Sequence, residues 1–319
     1  MNDSDLIWGA HSGLQKAVRR GDLDLCKTCF DLLWSETKHK NWLKWRLPSI
    51  VIEEAWYFGG RLKVFNDRRT DDPNEWLKFL YELTLIRKAK DADAVMRIPA
   101  SYSGDSMEYV ESTAWSKKLG DPPTNIEGIS YSIASACRES RKLTKYEEQT
   151  LAVLYNRANM GGMLGDRIMS LGGIVLLTNR PIDEARIDDL IDSGLKKWKK
   201  EKGRKPRIVN MPWYAFDMHT QVGKIAMSIW TKRKSHKYDI KDFDSTWFYL
   251  ESGYVPETMR VENRKAPDAF EEKWWPILTQ HFFMDEGSSI EKRTSLWNEK
   301  IRSEVEGIVA WLLEKRSKE

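Results

Sequence analysis

The residues of this chain that could do chemistry are concentrated in the stretch MPWYAFDMHTQVGKIAM. Within eight positions it contains a carboxylate, an imidazole, a hydroxyl, a glycine and an amine, namely Asp217, His219, Thr220, Gly223 and Lys224. A histidine beside a carboxylate is half of a general-base arrangement, but catalysis also requires a nucleophile or a metal ion that a third group positions. The stretch is therefore a catalytic centre, a contact to nucleic acid, or a structural turn before a helix.

Helical spacing helps to weigh these alternatives. In a helix, Asp217, Thr220 and Lys224 share one face, because residues three and four positions apart are neighbours. This favours an Asp–Lys surface pair over a charge relay, while Gly223 would let another backbone approach closely. Asp217, His219 and Gly223 are thus interpreted as a structural motif. Three interpretations stay open: a helix start capped by Asp217, a phosphate contact by Thr220 and Lys224, and catalysis.

Basic residues flank this stretch on both sides. Between Lys196 and Lys241 there are fourteen Lys and Arg against three acids, whereas the whole chain carries 52 Lys and Arg against 48 Asp and Glu. Such a local excess of cations favours phosphate backbones, since binding releases counterions. The alternative is a solvated helix end followed by a loop, because Gly203 and Pro206 interrupt any helix there.

We predict that this basic segment contacts DNA, either single- or double-stranded. Its cations would bind phosphates and would not read sequence, while Trp198 could stack on an unpaired base. The predicted nucleic-acid-binding residues are Lys196, Lys197, Trp198, Lys199, Lys200, Lys202, Arg204, Lys205, Arg207, Thr220, Lys224, Lys232, Arg233 and Lys234.

Composition sets the class of protein. The chain has 319 residues, of which 41% are hydrophobic and 31% charged, as is typical of a soluble globular protein. Most of the fifteen Trp recur at helical spacing with other apolar residues, which favours a role in the core. No apolar run is long enough for a membrane span, and the first residues lack the pattern of a secretory signal.

The cysteines point to a reducing environment. Three cysteines cannot all pair, so we expect a cytoplasmic protein. Cys26 and Cys29 form a C-x-x-C, but they lie on an amphipathic pattern, and Cys137 and the histidines show no zinc-ligand spacing. We therefore interpret the cysteines as small core residues and expect no metal site.

The hydrophobic pattern predicts an all-α protein, a collar-like bundle of many helices with irregular loops and at most a short β-hairpin near 172–178 or 207–211. In SGLQKAVRRG, an apolar stripe faces a basic side of Lys16, Arg19 and Arg20, which we expect in solvent. Gly21 should end this helix and Asp22 should cap the next one.

Further boundaries follow from Pro and Gly. Pro48 should divide a third helix that starts near Asn41, and the glycine pair at 59–60 should end it. Pro73 should open a helix, and an irregular Ser/Gly/Pro-rich excursion follows Pro99. We divide the chain into regions 1–98, 99–194 and 195–319, which we expect to form one continuous fold.

The glycine-rich stretch GGMLGDRIMSLGGIVLLTN is not a nucleotide site. A phosphate-binding loop requires G-x-x-x-x-G-K-[ST], and none of these glycines is followed by Lys-Ser or Lys-Thr. Close packing of helices explains the glycines better. We expect no cofactor, no ATP hydrolysis by this chain and, since no complete catalytic constellation is present, a protein that is not an enzyme.

Three segments of the first hundred residues, HSGLQKAVRRGDLDLCKTCFDLLW, WRLPSIVIEEAWYFGG and WLKFLYELTLIRKAKDADAVM, carry a family resemblance. They resemble the helical C-terminal region of the MgsA/RarA family of clamp-loader-like AAA+ ATPases. The matching positions are Gly21, Asp22, Asp24, Arg46, Leu47, Ile50, Glu53 and Glu54, although Glu54-Ala55 stands where the family has Asp-Ile or Asp-Val. FDMHTQVGK and GYVPETM are similar to later segments of such proteins, and the likeness covers about half of the chain.

The resemblance implies a collar-like, all-α region that forms homo-oligomers and works beside DNA replication or repair, without its ATPase module. A replication ATPase or a clamp is then a candidate partner. We therefore expect a non-catalytic, DNA-associated accessory protein. Two alternatives remain: a metal-dependent DNA-processing enzyme such as a nuclease, for which Glu53 and Glu54 would have to gather with other carboxylates, and a structural oligomer whose basic loop binds a protein.

Overall fold

The fold is built from α-helices. The computed structural model describes residues 3–89, 126–160, 164–201, 211–217, 219–233, 247, 251, 254–259, 261 and 298–318. In these ranges the only non-helical pairing is a single parallel bridge between Ala55 and Ala89. The predicted all-α class is therefore confirmed. Residues 172–178, one of two places where a hairpin was allowed, are helical, and 207–210 lie outside the described residues.

The helices are numbered in chain order: α1 (Asp3–Arg20), α2 (Leu23–Trp34), α3 (Thr37–Ala55), α4 (Gly59–Asp67), α5 (Pro73–Leu85), α6 (Ile126–Ser140), α7 (Lys145–Asn159), α8 (Leu164–Asn179), α9 (Glu184–Glu201), α10 (Gln221–Arg233) and α11 (Glu299–Arg316). Short 3-10 turns occupy Trp56–Phe58, Trp213–Ala215 and Glu257–Met259. None of the helices in the described ranges combines the length and apolarity that a membrane span requires.

The corner between α1 and α2 follows its sequence signals. Gly21 adopts a φ of +72°, a left-handed conformation that ends a helix at low cost when the residue is glycine. The Asp22 carboxylate then accepts a 2.9 Å hydrogen bond from the backbone N–H of Leu25. Both predictions for this corner, the stop at Gly21 and the cap at Asp22, are confirmed.

Two predictions for α3 are wrong. Pro48 lies inside α3 instead of dividing it, because Leu47, Ile50 and Val51 around it are all fully buried and hold the helix in place. The glycine pair at 59–60 opens α4 instead of ending a helix. A Cβ at Gly60 would lie 2.7 Å from the Tyr146 ring, so the glycine is required by close packing of α4 on α7.

Buried side chains form two adjoining apolar clusters. The larger one joins α1–α5 with α10, α11 and the segment around Trp213–Ala215. The smaller one joins α6, α7 and α8 with Ile52 and Trp56. Within it, a Cβ at Gly173 of α8 would lie 2.8 Å from Leu154, which confirms that the glycine serves close helix packing. The predicted helix opened by Pro73 ends at Leu85, and the predicted excursion lies outside the described residues except for its last position.

Candidate nucleic-acid interface

The basic run 195–207 begins as helix. Helix α9 continues to Glu201, and the side chains of Lys196 and Lys199 on its last turns are exposed. Lysines are also favourable at this end of a helix because of its dipole. The side chains of Lys197, Trp198 and Lys200 are not among those that the structure describes, and Lys202, Arg204, Lys205 and Arg207 lie outside the described residues altogether.

Helix α10 supplies a second set of cations. Lys224 near its start and Lys232 and Arg233 at its end are exposed, while Lys234 lies outside the described residues. Neither these three side chains nor Lys196 and Lys199 form an ion pair with any residue in the described ranges. They are therefore five solvent-facing positive charges whose charge no described carboxylate neutralises.

The segment between these two basic sets is packed onto α1. Met211, Ala215 and Phe216 are buried, and the Phe216 ring would lie 2.7 Å from a Cβ at Gly9. One turn further along α1, a Cβ at Gly13 would lie 3.1 Å from the Met211 sulfur. The small residues of α1 thus allow the chain before α10 to pack closely against this helix. The sequence alone did not reveal this role.

At the next turn of α1, Asp217 of the same segment forms an ion pair with the helix. Its Oδ2 lies 2.7 Å from Nζ of Lys16, and both side chains are almost completely buried. Burial opposes ionisation of Asp217, but the charge of Lys16 and the hydrogen bond from His219 outweigh it and hold the pKa of Asp217 below its usual range. Burial lowers the pKa of Lys16, and Asp217 partly offsets that effect. Asp217 is therefore ionised at neutral pH, and its charge favours the protonated form of Lys16.

His219 and Thr220 complete the turn. The Asp217 carboxylate accepts a 2.9 Å hydrogen bond from the backbone N–H of His219, whose ring Nδ1 lies 3.2 Å away, and the ring is 59% exposed. Thr220 is buried, and its hydroxyl donates to the Asp217 carbonyl and accepts from the N–H of Gly223 at 3.0 Å. A Cβ at Gly223 would lie only 1.9 Å from the Asp217 carbonyl oxygen.

These contacts correct three details of the sequence interpretation. Thr220, and not Asp217, caps α10. Asp217 pairs with buried Lys16 and not with Lys224 at the surface. The Thr220 hydroxyl is engaged inside the turn and is not presented to a phosphate, whereas Lys224 remains exposed. The expectation that Gly223 permits a close backbone approach is confirmed.

The basic side of α1 is buried, which corrects the expectation that it faces solvent. Lys16 and Arg19 are nearly inaccessible. The Arg19 guanidinium donates to Glu53 at 2.8 Å and forms further hydrogen bonds with Glu54. Period-3.6 spacing predicted the polar face of α1 correctly, but it could not reveal that α3 places two carboxylates opposite that face.

A second set of buried charges joins α3 to α7 and α8. Asp166 accepts hydrogen bonds from Arg157 at 2.7 Å, from Ser49 at 2.8 Å and from Arg46 at 3.1 Å. Arg46 also lies 3.6 Å from Glu53, which connects this set to Arg19. The interior charges thus neutralise one another and link four helices.

The two carboxylates that were expected to contribute to a nuclease site are engaged in ion pairs in the interior. Glu53 and Glu54 are held by Arg19 and Arg46 and do not gather with other carboxylates. In the part of the chain that the structure describes, no cluster of three or more His, Cys, Asp or Glu could hold a metal ion. The three cysteines are buried free thiols, which confirms their interpretation as core residues, and burial raises the pKa of Cys26 to about 12.

The role of one buried lysine was not predicted from the sequence. Lys88 follows α5, and its Nζ donates to the carbonyls of Leu83 at 2.7 Å, Ile86 at 2.6 Å and Thr84 at 3.0 Å. It therefore satisfies carbonyl groups that the end of α5 leaves without helical partners. A cation just after the last helical residue is the sequence signal that could have indicated this role.

Comparison of the chain with protein-family models, with curated proteins and with solved structures returned no match. The resemblance to the MgsA/RarA family consequently rests on the quoted residues alone. In the structure these residues hold α1, α2 and α3 together: Gly21 and Asp22 form the corner, Leu47 and Ile50 are buried, and Arg46, Glu53 and Glu54 belong to the buried charge network.

Proposed function

We propose that this chain is a DNA-associated accessory protein of replication, recombination or repair and that it acts as a non-catalytic binding and assembly component. One observation carries the proposal: Lys196, Lys199, Lys224, Lys232 and Arg233 are exposed, and none forms an ion pair with a described residue. Cations without internal partners gain most from phosphates, because neutralising a phosphate releases condensed counterions.

The rest of the described molecule supports a binding role. Buried ion pairs inside it, including the Lys16–Asp217 pair, hold helices together. The resemblance to the MgsA/RarA family adds the proposal of a collar-like homo-oligomer in the cytoplasm that works beside a replication ATPase or a clamp. Recognition through phosphates alone would be independent of base sequence.

The test compares two double variants of equal charge change. Lys196→Ala/Lys199→Ala removes two unpaired cations, whereas Lys27→Ala/Lys63→Ala removes two lysines whose Nζ atoms lie 2.5 Å from Asp31 and Asp67. Affinity for duplex DNA is measured over a salt series. We expect the first variant to weaken binding to all sequences about equally and to flatten the slope of log affinity against log salt by roughly one to two.

The control variant should bind like the parent, because its lysines are already neutralised. Both variants should keep their stability within about 0.5 kcal/mol, as is usual for exposed positions. An unchanged affinity and slope in Lys196→Ala/Lys199→Ala would show that the end of α9 is only a solvated helix end. An equal loss in both variants would show that overall charge, and not this surface, is responsible.

A further inference from the structure

Aromatic rings and arginines are interleaved beside the 3-10 turn Trp213–Ala215. The Arg20 guanidinium lies 3.9 Å from the centre of the Tyr214 ring and 5.3 Å from that of Tyr254. The Arg302 guanidinium of α11 lies 5.9 Å from the centre of the Trp213 ring. We call these five residues the aromatic–arginine cluster.

Among the described residues, the cluster has two guanidinium groups and one carboxylate beside them. Arg20 lies 3.7 Å from the Glu251 carboxylate, and Arg302 donates to the same carboxylate at 2.9 Å. One carboxylate therefore serves two guanidinium groups. The outer members of the cluster are accessible, since Tyr254 is 44% exposed and the Arg302 side chain 49% exposed.

The helix that carries Arg302 is held against a second basic helix, α10. Nε1 of Trp230 donates a 3.0 Å hydrogen bond to Glu304, which holds the end of α10 against the first turns of α11. That end of α10 carries Lys232 and Arg233, and the first turn of α11 carries Arg302. The helix that packs on α11 thus carries two of the cations that the proposed function assigns to phosphates.

We propose that the aromatic–arginine cluster binds single-stranded DNA by stacking unpaired bases on Tyr254 and Arg302. Every base has a face that can stack on an aromatic ring or a guanidinium plane, whereas a duplex keeps those faces inside its own stack. The neighbouring lysines and arginines bind the phosphates. This inference rests on the proposed function and adds a preference for single strands over duplex.

Tyr254→Leu tests the stacking step in the full chain, because it removes the ring and keeps an apolar side chain. The matched control is Tyr131→Leu, which changes a tyrosine on α6 that is even more accessible, with 66% exposed. Binding to a labelled oligothymidylate and to a duplex of the same length is measured by fluorescence anisotropy at one salt concentration.

We expect Tyr254→Leu to bind the single strand about tenfold more weakly, which corresponds to about 1.4 kcal/mol, and to bind duplex unchanged. Tyr254→Phe should bind like the parent, because the ring is kept. Arg302→Lys should also lose affinity for the single strand, because it keeps the charge but not the planar group. Tyr131→Leu should have no effect.

Parent-like binding of the single strand by Tyr254→Leu would overturn the stacking proposal while leaving the phosphate contacts of α9 and α10 intact. An equal loss on single strand and duplex would overturn it too, because it would show a general electrostatic or folding effect. Failure of the parent chain to bind either form of DNA would overturn the proposed function itself.

Discussion

Breaking the ion pair between Lys16 and Asp217 from one side should destabilise the protein strongly. The two side chains are 4% and 1% exposed, with 2.7 Å between Nζ and Oδ2. In Asp217→Asn, an amide of the same shape leaves Lys16 as an uncompensated buried charge. Removing one partner of a buried pair costs roughly 3–5 kcal/mol. We expect a loss of about 3 kcal/mol, since Ser12 still accepts a hydrogen bond from Lys16.

The assay is urea unfolding followed by circular dichroism and tryptophan fluorescence, with agreement of the two transitions as the check for two-state behaviour. Asp71→Asn is the control, because Asp71 also pairs with a lysine, Lys44, but its side chain is 67% exposed. Surface pairs contribute little, so the control should unfold like the parent. The double variant Lys16→Met/Asp217→Leu should lose less than the sum of the two single variants.

The pH dependence of the stability that Asp217 contributes follows from the direction in which its pKa is shifted. The pKa of Asp217 in the folded protein lies below its value in the unfolded chain, about 3.9, so ionised Asp217 stabilises the folded state. Its contribution is complete above that pH and is lost as the pH falls below it. The difference between parent and Asp217→Asn should therefore shrink below about pH 4. A loss under about 1 kcal/mol at pH 7, or a difference that is the same at pH 3, would refute a buried ionised pair.

Three further variants test the packing and the capping of the described helices. Gly223→Ala should lower the free energy of unfolding by roughly 3 kcal/mol or more, because its Cβ would lie 1.9 Å from a backbone oxygen that cannot move aside. Gly307→Ala, in a helix interior with no neighbour within 4 Å, should instead raise it by about 0.5–1 kcal/mol, and equal effects at both glycines would contradict the packing. Lys88→Met should cost roughly 3 kcal/mol by leaving the end of α5 uncapped, and a cost no larger than that of exposed Lys142→Met would argue against the cap.

Local signals in the sequence were sufficient for local structure. The helix stop at Gly21 and the helix cap at Asp22 depend only on residues nearby in the chain, so the local sequence is enough to predict them. Apolar spacing also predicted the all-α class, since each amphipathic face needs a partner surface. Pro48 and the glycine pair at 59–60 are exceptions. At Pro48, the burial of its neighbours outweighs the local cost of a proline in a helix.

Nonlocal contacts could not be predicted in the same way. The buried position of Lys16 and Arg19 depends on carboxylates that come from residues 34 to 201 positions away in the chain. Thr220 caps α10 while the Asp217 carboxylate pairs with Lys16 of α1, a contact between residues far apart in the chain. The sequence likewise predicted that the cations of α9 and α10 are basic residues near one another in the chain. Only the structure shows that no described carboxylate pairs with them.

The central claim is that the exposed cations of α9 and α10 bind DNA through its phosphates. The most direct measurement is the affinity of the purified chain for two duplexes of unrelated sequence, over a salt series. We expect equal affinities and a slope of log affinity against log salt steeper than about −2, since each neutralised phosphate contributes about −0.9. A slope near zero, strong discrimination between the two sequences, or no binding at low salt would contradict the claim.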